Sequence, residues 1–198
     1  MTFTEIAVGG LAIVIGYAVG AISPAAIIAK VRGVDLRSVG SGNPGATNVG
    51  RAMGPRWAIL VGFLDILKGF LPAFAFAMLV GQTAGEIAGV SAVLGHVTSP
   101  YLRGRGGKGV ATTLGALLGA LPWMAIPVLL AFAVGVLVWR RVGLGAVLGA
   151  AVLGIAGILG LIAGLLDVSD SIFCIVLSVL VLARHRRNVV SAWKQLSD

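Results

Sequence analysis

Charge is scarce in this chain, and acidic charge scarcest of all. Asp, Glu, Lys and Arg make up 11% of its 198 residues, against roughly 25% in a soluble domain. None of the stretches between its apolar runs is long enough to fold as a water-soluble unit. A water-facing globule is therefore excluded. The single cysteine, Cys174, has no partner for a disulfide or a metal site, and it reads as buried packing in the last apolar stretch. No basic segment opens the chain. It begins Met1-Thr2-Phe3-Thr4-Glu5 and runs apolar to Val31, so the first segment is expected to be retained as a span and not cleaved as a signal peptide.

What the chain does have is apolar length. Its residues are 58% hydrophobic and its mean hydropathy is +1.04, so one all-α integral membrane domain covers residues 1–198. A net charge of +8 would suggest nucleic acid in a soluble protein. Here the cations collect between alternate apolar segments, as they do when Lys and Arg are retained in the cytoplasm, and no nucleic acid is expected.

Threading follows from that rule. Ile6 to Val31 makes a first span, preceded by Glu5 and followed by Lys30 and Arg32, which puts the N-terminus outside and the loop Gly33 to Arg56 inside. Trp57 to Val80 returns outward and Ile87 to Leu102 comes back in. Val110 to Val138 is short for two spans and long for one. A single crossing would carry Arg140, Arg141 and the basic cluster after Ala183 outside, so two short spans hinged near Leu121-Pro122 are expected. Gly143 to Leu166 exits, Asp167 and Asp170 lie outside, and Ile172 to Ala183 returns. The expectation is seven short, tightly packed transmembrane helices, N-terminus outside and C-terminus cytoplasmic. Every Lys and Arg except Lys68 then lies at or near the cytoplasmic face. Gly115 with Gly119, and Gly145 with Gly149, have the four-residue spacing that lets helix backbones approach closely.

Three polar clusters face that same side. Gly40-Ser41-Gly42-Asn43-Pro44-Gly45-Ala46-Thr47-Asn48-Val49-Gly50-Arg51 is a glycine-rich loop with convergent donors, suited to an anion, and to phosphate above all. The bland alternative is a solvated turn. Arg103-Gly104-Arg105-Gly106-Gly107-Lys108-Gly109 precedes the next apolar segment, where a helix N-terminus attracts anions. It is not a nucleotide P-loop, because Leu102 and Gly109 stand where that motif needs Gly and Ser or Thr. The alternative there is a basic snorkelling anchor, which leaves the glycines unexplained. Arg184-His185-Arg186-Arg187-Asn188 alone is ordinary topology signalling. Asp65 and Lys68, three apart in the second span, would each cost roughly 2.5 to 3.5 kcal/mol unpaired. They form either a structural ion pair or a brace for the site loops. His96 either caps the third span's cytoplasmic end or touches substrate.

Taken together, Ser41 to Asn48, Gly106-Gly107-Lys108-Gly109-Val110-Ala111-Thr112 and His185-Arg186-Arg187-Asn188 resemble the three cytoplasmic motifs of the PlsY-type acyl-phosphate:glycerol-3-phosphate acyltransferase family. Asp65-Ile66-Leu67-Lys68-Gly69 and Gly95-His96 look like that family too, and the similarity spans nearly the whole chain in order. The resemblance implies a multi-pass enzyme of the bacterial inner membrane with its active site on the cytoplasmic face. It would move an acyl chain from acyl phosphate to the 1-hydroxyl of sn-glycerol 3-phosphate, giving lysophosphatidic acid and phosphate. By motif match, Ser41, Arg51, Lys108, His185 and Asn188 hold the glycerol phosphate and align its hydroxyl. Asn43, Thr47, Asn48, Gly106, Gly107 and Gly109 shape the pocket and contact the acyl phosphate, with Lys68 counted among the substrate-binding set. No metal or other cofactor is implied, and a monomer is left open as the unit.

His185 is either a general base or a positioning group, since an oxygen of the donor's phosphate can take the proton. The His-to-Asp spacing of other glycerolipid acyltransferases is absent, with Tyr101 and Val190 in the Asp positions. Two positions depart from the family pattern: Arg187 stands where Glu is usual and Gly143 where Ser is usual. The rival reading, an organic-phosphate transporter, would need polar residues along the bilayer depth, yet apart from Asp65 and Lys68 the spans are almost wholly apolar.

Overall fold

The computed structural model describes residues 3–197, and side chains for residues 5–186, 188 and 190. Among the described residues the secondary structure is all helical. In chain order the helices are α1 (Phe3–Ala21), α2 (Pro24–Val31), α3 (Ala46–Met53), α4 (Pro55–Leu79), α5 (Gln82–Thr98), α6 (Val110–Ala120), α7 (Ala125–Trp139), α8 (Val142–Ile162) and α9 (Val168–Ser197). Five segments are long and apolar enough to cross a membrane: Glu5–Val31, Pro55–Leu79, Pro122–Trp139, Val142–Ile162 and Val168–Arg186, while α6 is a shorter apolar helix. Large apolar side chains such as Leu79 and Ile162 are exposed along them, the pattern expected where the surrounding solvent is hydrocarbon. The chain divides into two compact units, Met1–Ala120 and Leu121–Asp198. The boundary falls at the expected Leu121-Pro122 hinge, where a 3-10 turn over Pro122–Met124 interrupts the helix.

In the first unit the span expected as one helix from Ile6 to Val31 is broken. Ser23 caps α2 by accepting from the Ala26 N–H at 3.3 Å, and Pro24 occupies its first turn, where a missing N–H is harmless. The break frees carbonyls inside an apolar environment, where an unpaired polar group is costly. Two side chains answer them: Ser99 Oγ donates to the Ala21 carbonyl at 2.6 Å and Lys68 Nζ to that of Ile22 at 2.7 Å. The third span is displaced from the expected Ile87 to Leu102, since α5 begins at Gln82 and ends at Thr98, and a 3-10 turn takes Pro100–Leu102.

Glycine sets the helix spacing. A β-carbon added at Gly16 or Gly20 would overlap the carbonyls of Ala88 or Ala92 on α5, and one at Gly115 that of Ile66 on α4. The Gly115/Gly119 pair thus seats α6 on α4. In the second unit, Gly145 packs on the Phe132 carbonyl of α7 and Gly157 against Cys174 of α9. Ser178 Oγ donates to the Ala150 carbonyl at 2.6 Å, tying α9 to α8. Cys174 is fully buried there, as its apolar setting implies.

The segment expected as a loop from Gly40 to Arg51 is half helix, because α3 begins at Ala46. Its buried Val49 joins Ala25 and Ala29 of α2, Leu36 and Val61 of α4 in a small core. That core carries the polar loop before α3 on a fixed base.

Candidate active site

The chain before α3 turns sharply at Gly40 (φ +53°) and Gly42 (φ +64°), left-handed positions that glycine occupies without strain. What folds it back is Asn48, 1% exposed. Its Oδ1 accepts from the Ser41 N–H at 3.2 Å and its Nδ2 donates to the Leu36 carbonyl at 3.0 Å, so one carboxamide clasps both limbs of the loop. The side chain of Arg51 lies against Gly40, where an added β-carbon would be 3.3 Å from Arg51 Nη1. Thr47 and Arg51, four apart, share a face of α3. Ser41, Thr47 and Arg51 are all exposed. Asn43 closes the approach to the helix, its carbonyl accepting from the Gly45 N–H at 2.9 Å. Within the first unit the structure brings these residues together on one loop and the helix that follows it. Asn48, expected to touch substrate, has a loop-holding job that local sequence does not reveal.

The second loop is built on the end of α5. The N–H groups of Gly106 and Gly107 donate to the carbonyls of Val97 and His96, both at 3.1 Å, and that of Gly104 to Ser99 at 3.0 Å. A β-carbon at Gly106 would overlap the His96 carbonyl oxygen, and one at Gly107 the His96 imidazole. Glycine is required here because the chain lies flat on a helix end, which accounts for glycines that a basic snorkelling anchor leaves unexplained. The consequence is that half-buried Lys108 projects from a backbone locked on one side to α5. On the other side Gly109 (φ +84°) leads into α6, whose first closed bond runs from the Thr113 N–H to the Gly109 carbonyl at 2.7 Å. The first turn of such a helix is a favourable place for negative charge.

Beneath this loop lie three buried ionisable groups. Lys68 Nζ is 2.9 Å from Asp65 Oδ1, and His96 Nδ1 is 3.6 Å from the same oxygen. Lys68 is 6% exposed and its ammonium is held between Asp65 and the Ile22 carbonyl. That arrangement fits a brace for the loops, and Lys68 is buried where Ser41, Thr47 and Arg51 are exposed.

In the second unit, His185 and Asn188 lie three apart on one side of α9. His185 is 2% exposed, with Nδ1 2.8 Å from the Val181 carbonyl. A carbonyl only accepts, so Nδ1 carries the proton in this contact. Asn188 occupies the room left by Gly143, whose added β-carbon would overlap Asn188 Nδ2. Glycine at 143 therefore accommodates Asn188. Replacing Gly143 by Ala or Ser should displace that carboxamide and lower turnover by about tenfold, a steady-state assay deciding it against the gain expected if a lost hydroxyl were the defect. The side chain of Arg187, the other departure, lies outside the described residues.

One side chain had no signal in the sequence. Arg37 donates from Nη1 to the Gly42 carbonyl at 2.9 Å and from Nη2 to the Arg105 carbonyl at 2.5 Å. Its partners are 5 and 68 residues away, and the second separation leaves no local pattern to read.

Comparison with known proteins points one way. A sequence model described as glycerol-3-phosphate acyltransferase matches residues 10–195. The chain is 38% identical over 180 residues to a glycerol-3-phosphate acyltransferase of Aquifex aeolicus (strain VF5), covering 89% of this chain and 91% of that one. It is 40% identical over 191 residues to glycerol-3-phosphate acyltransferase 1 of Deinococcus radiodurans, covering 96% and 92%. Among solved structures it is similar to PlsY (YgiH), an integral membrane glycerol 3-phosphate acyltransferase, in its glycerol 3-phosphate form. The TM-score is 0.85 at 36% identity, over 94% of this chain and 92% of that one. The lysophosphatidic acid form matches with a TM-score of 0.83.

Proposed function

The chain belongs to the glycerol-3-phosphate acyltransferase family, and from that premise we propose that acyl phosphate is its donor and the 1-hydroxyl of sn-glycerol 3-phosphate its acceptor. It is a multi-pass membrane acyltransferase, and the transporter alternative finds no support in its relatives. The paired burial of Asp65 and Lys68 also removes the charges that a permeation path would use.

The observation that carries the reading is the grouping of Ser41, on a loop clasped by Asn48, with Thr47 and Arg51 on the helix α3 that follows it. Hydroxyls and a guanidinium held on a glycine-rich turn match a phosphate monoester. In this reading Ser41, Arg51, Lys108, His185 and Asn188 hold the glycerol phosphate. Asn43, Thr47, Asn48 and Gly106 to Gly109 shape the place of the acyl phosphate, while its tail lies among apolar helices. The whole of residues 1–198 acts as one domain, a monomer suffices, and seven spans are supplied by α1 with α2, α4, α5, α6, α7, α8 and α9. The N-terminus is outside and the loops face the cytoplasm of a cell whose inner membrane holds the protein.

Acyl phosphate is a mixed anhydride and is already activated. The hydroxyl oxygen attacks the acyl carbon, the carbon–oxygen bond to phosphate breaks, and the hydroxyl proton passes to a phosphate oxygen. The protein's part is alignment and stabilisation of the developing negative charge. His185→Gln should accordingly keep turnover within about tenfold of wild type while His185→Ala loses more. A general-base role would instead cost both variants about 10²- to 10⁴-fold. The reading as a whole is tested by giving the detergent-purified protein palmitoyl phosphate and glycerol 3-phosphate and measuring phosphate and lysophosphatidic acid together. Equimolar release supports it. Acylation from a thioester or carrier-bound donor alone would overturn the donor assignment.

A further inference from the structure

The two loops of the first unit are anchored separately. The loop through Ser41 is tied to α3 by Asn48, and the loop through Lys108 to α5 by the His96 and Val97 carbonyls. Arg37 joins the anchored loops to each other. Its guanidinium reaches the Gly42 carbonyl, one residue beyond Ser41, and the Arg105 carbonyl, three residues before Lys108. Its own backbone is fixed by the Arg37 N–H donating to Asp35 Oδ1 at 2.8 Å. The side chain is exposed and lines an open cleft of about 290 Å³ with Leu102, Arg103 and Arg105, so the two hydrogen bonds are what fix its guanidinium. A planar guanidinium offers two donors at a fixed separation, whereas a lysine ammonium is a single point charge.

We propose that Arg37 is a positioning residue for acyl transfer, setting the separation of Ser41 and Arg51 from Lys108 across which the phosphate groups are held. This rests on the donor and acceptor reading above. Because both substrates are assigned to both loops, loosening the link should disturb both at once. A direct contact with one substrate would disturb only that one.

The test uses full-length Arg37→Lys and Arg37→Ala in detergent, with thermal unfolding recorded beside the kinetics. The expected result is a fall in kcat/KM of about 100-fold in both variants, the scale set by roughly ångström misplacement, with KM raised for both substrates and the unfolding midpoint unchanged. Guanidinium added to Arg37→Ala should restore at least tenfold, and methylammonium should not. Arg37→Lys retaining wild-type kinetics, or a KM change confined to one substrate, overturns the proposal, because charge or direct contact then suffices. Glycerol 3-phosphate binding without any donor is measured calorimetrically in parallel. If the wild type binds but forms no product from palmitoyl phosphate, it is the donor reading that falls. Arg37 is then judged by binding alone, with at least tenfold weakening in both variants expected and wild-type binding by Arg37→Lys contradicting it.

Discussion

Lys108→Ala should lower lysophosphatidic acid formation by about a thousandfold while leaving the protein folded. Lys108 lies between Gly107, whose N–H is held by the His96 carbonyl, and Gly109, whose φ of +84° turns the chain into α6. Its position is therefore set by backbone before substrate arrives, the condition under which a charged group stabilises a transition state without reorganising. Removing one preorganised donor of this kind costs about 10²- to 10³-fold in rate, and a full cation, which in the proposed reading faces a phosphate dianion, belongs at the upper end. The measurement is phosphate release and lysophosphatidic acid formation by wild type and variant side by side, with unfolding midpoints matched. Retention of a tenth of wild-type activity would remove Lys108 from the site. Absence of product from a folded wild type would overturn the donor assignment and turn attention to Gly143 and Arg187.

How far the fold could be read ahead depended on whether the determining contact was local. Apolar length marked out the candidate spans, and Pro122 marked the hinge because a proline's effect on its own helix is local. The spacing of Gly115 with Gly119 and of Gly145 with Gly149 found close helix contacts for the same reason. The break at Ser23-Pro24 carried its own signal, a capping serine followed by proline, yet the unbroken apolar run outweighed it. Helix α3 was hidden because its apolar face, Ala46, Val49, Ala52 and Met53, spans only eight residues among Thr, Asn, Gly and Arg, too short a run to stand out beside the long apolar spans, and its stability comes from that face entering a core built by α2 and α4. The candidate site was legible in its residue types and less so in their duties. Asn48 stood out as a polar group for the pocket, and the Asp65–Lys68 pair was legible from its three-residue spacing, but that each side chain also bonds a distant carbonyl is a tertiary fact. Arg37 was silent because its second partner is distant in sequence.

Gly107→Ala should cost at least about 100-fold in turnover, and the loss should be reversible by a second change. The new β-carbon would overlap the imidazole of His96, a side chain, whereas that of Gly106→Ala would overlap the His96 carbonyl oxygen, part of the α5 backbone. The two neighbouring substitutions thus look alike in sequence and differ in what must yield. In Gly107→Ala the loop can return to its place if the ring is removed, so His96→Ala in the same chain should recover at least tenfold of the lost rate. In Gly106→Ala the obstruction is present whatever residue stands at 96, and His96→Ala should recover nothing. His96→Ala alone should lose little, because Asp65 keeps its ion pair with Lys68 at 2.9 Å. The loss in both loop variants arises by displacement of Lys108, for which about an ångström is enough to cost two orders of magnitude. Kinetics on the five proteins, with unfolding midpoints to confirm that each is folded, give the comparison. Equal recovery of both loop variants by His96→Ala, or of neither, would show that the ring does not hold this loop in register with the site.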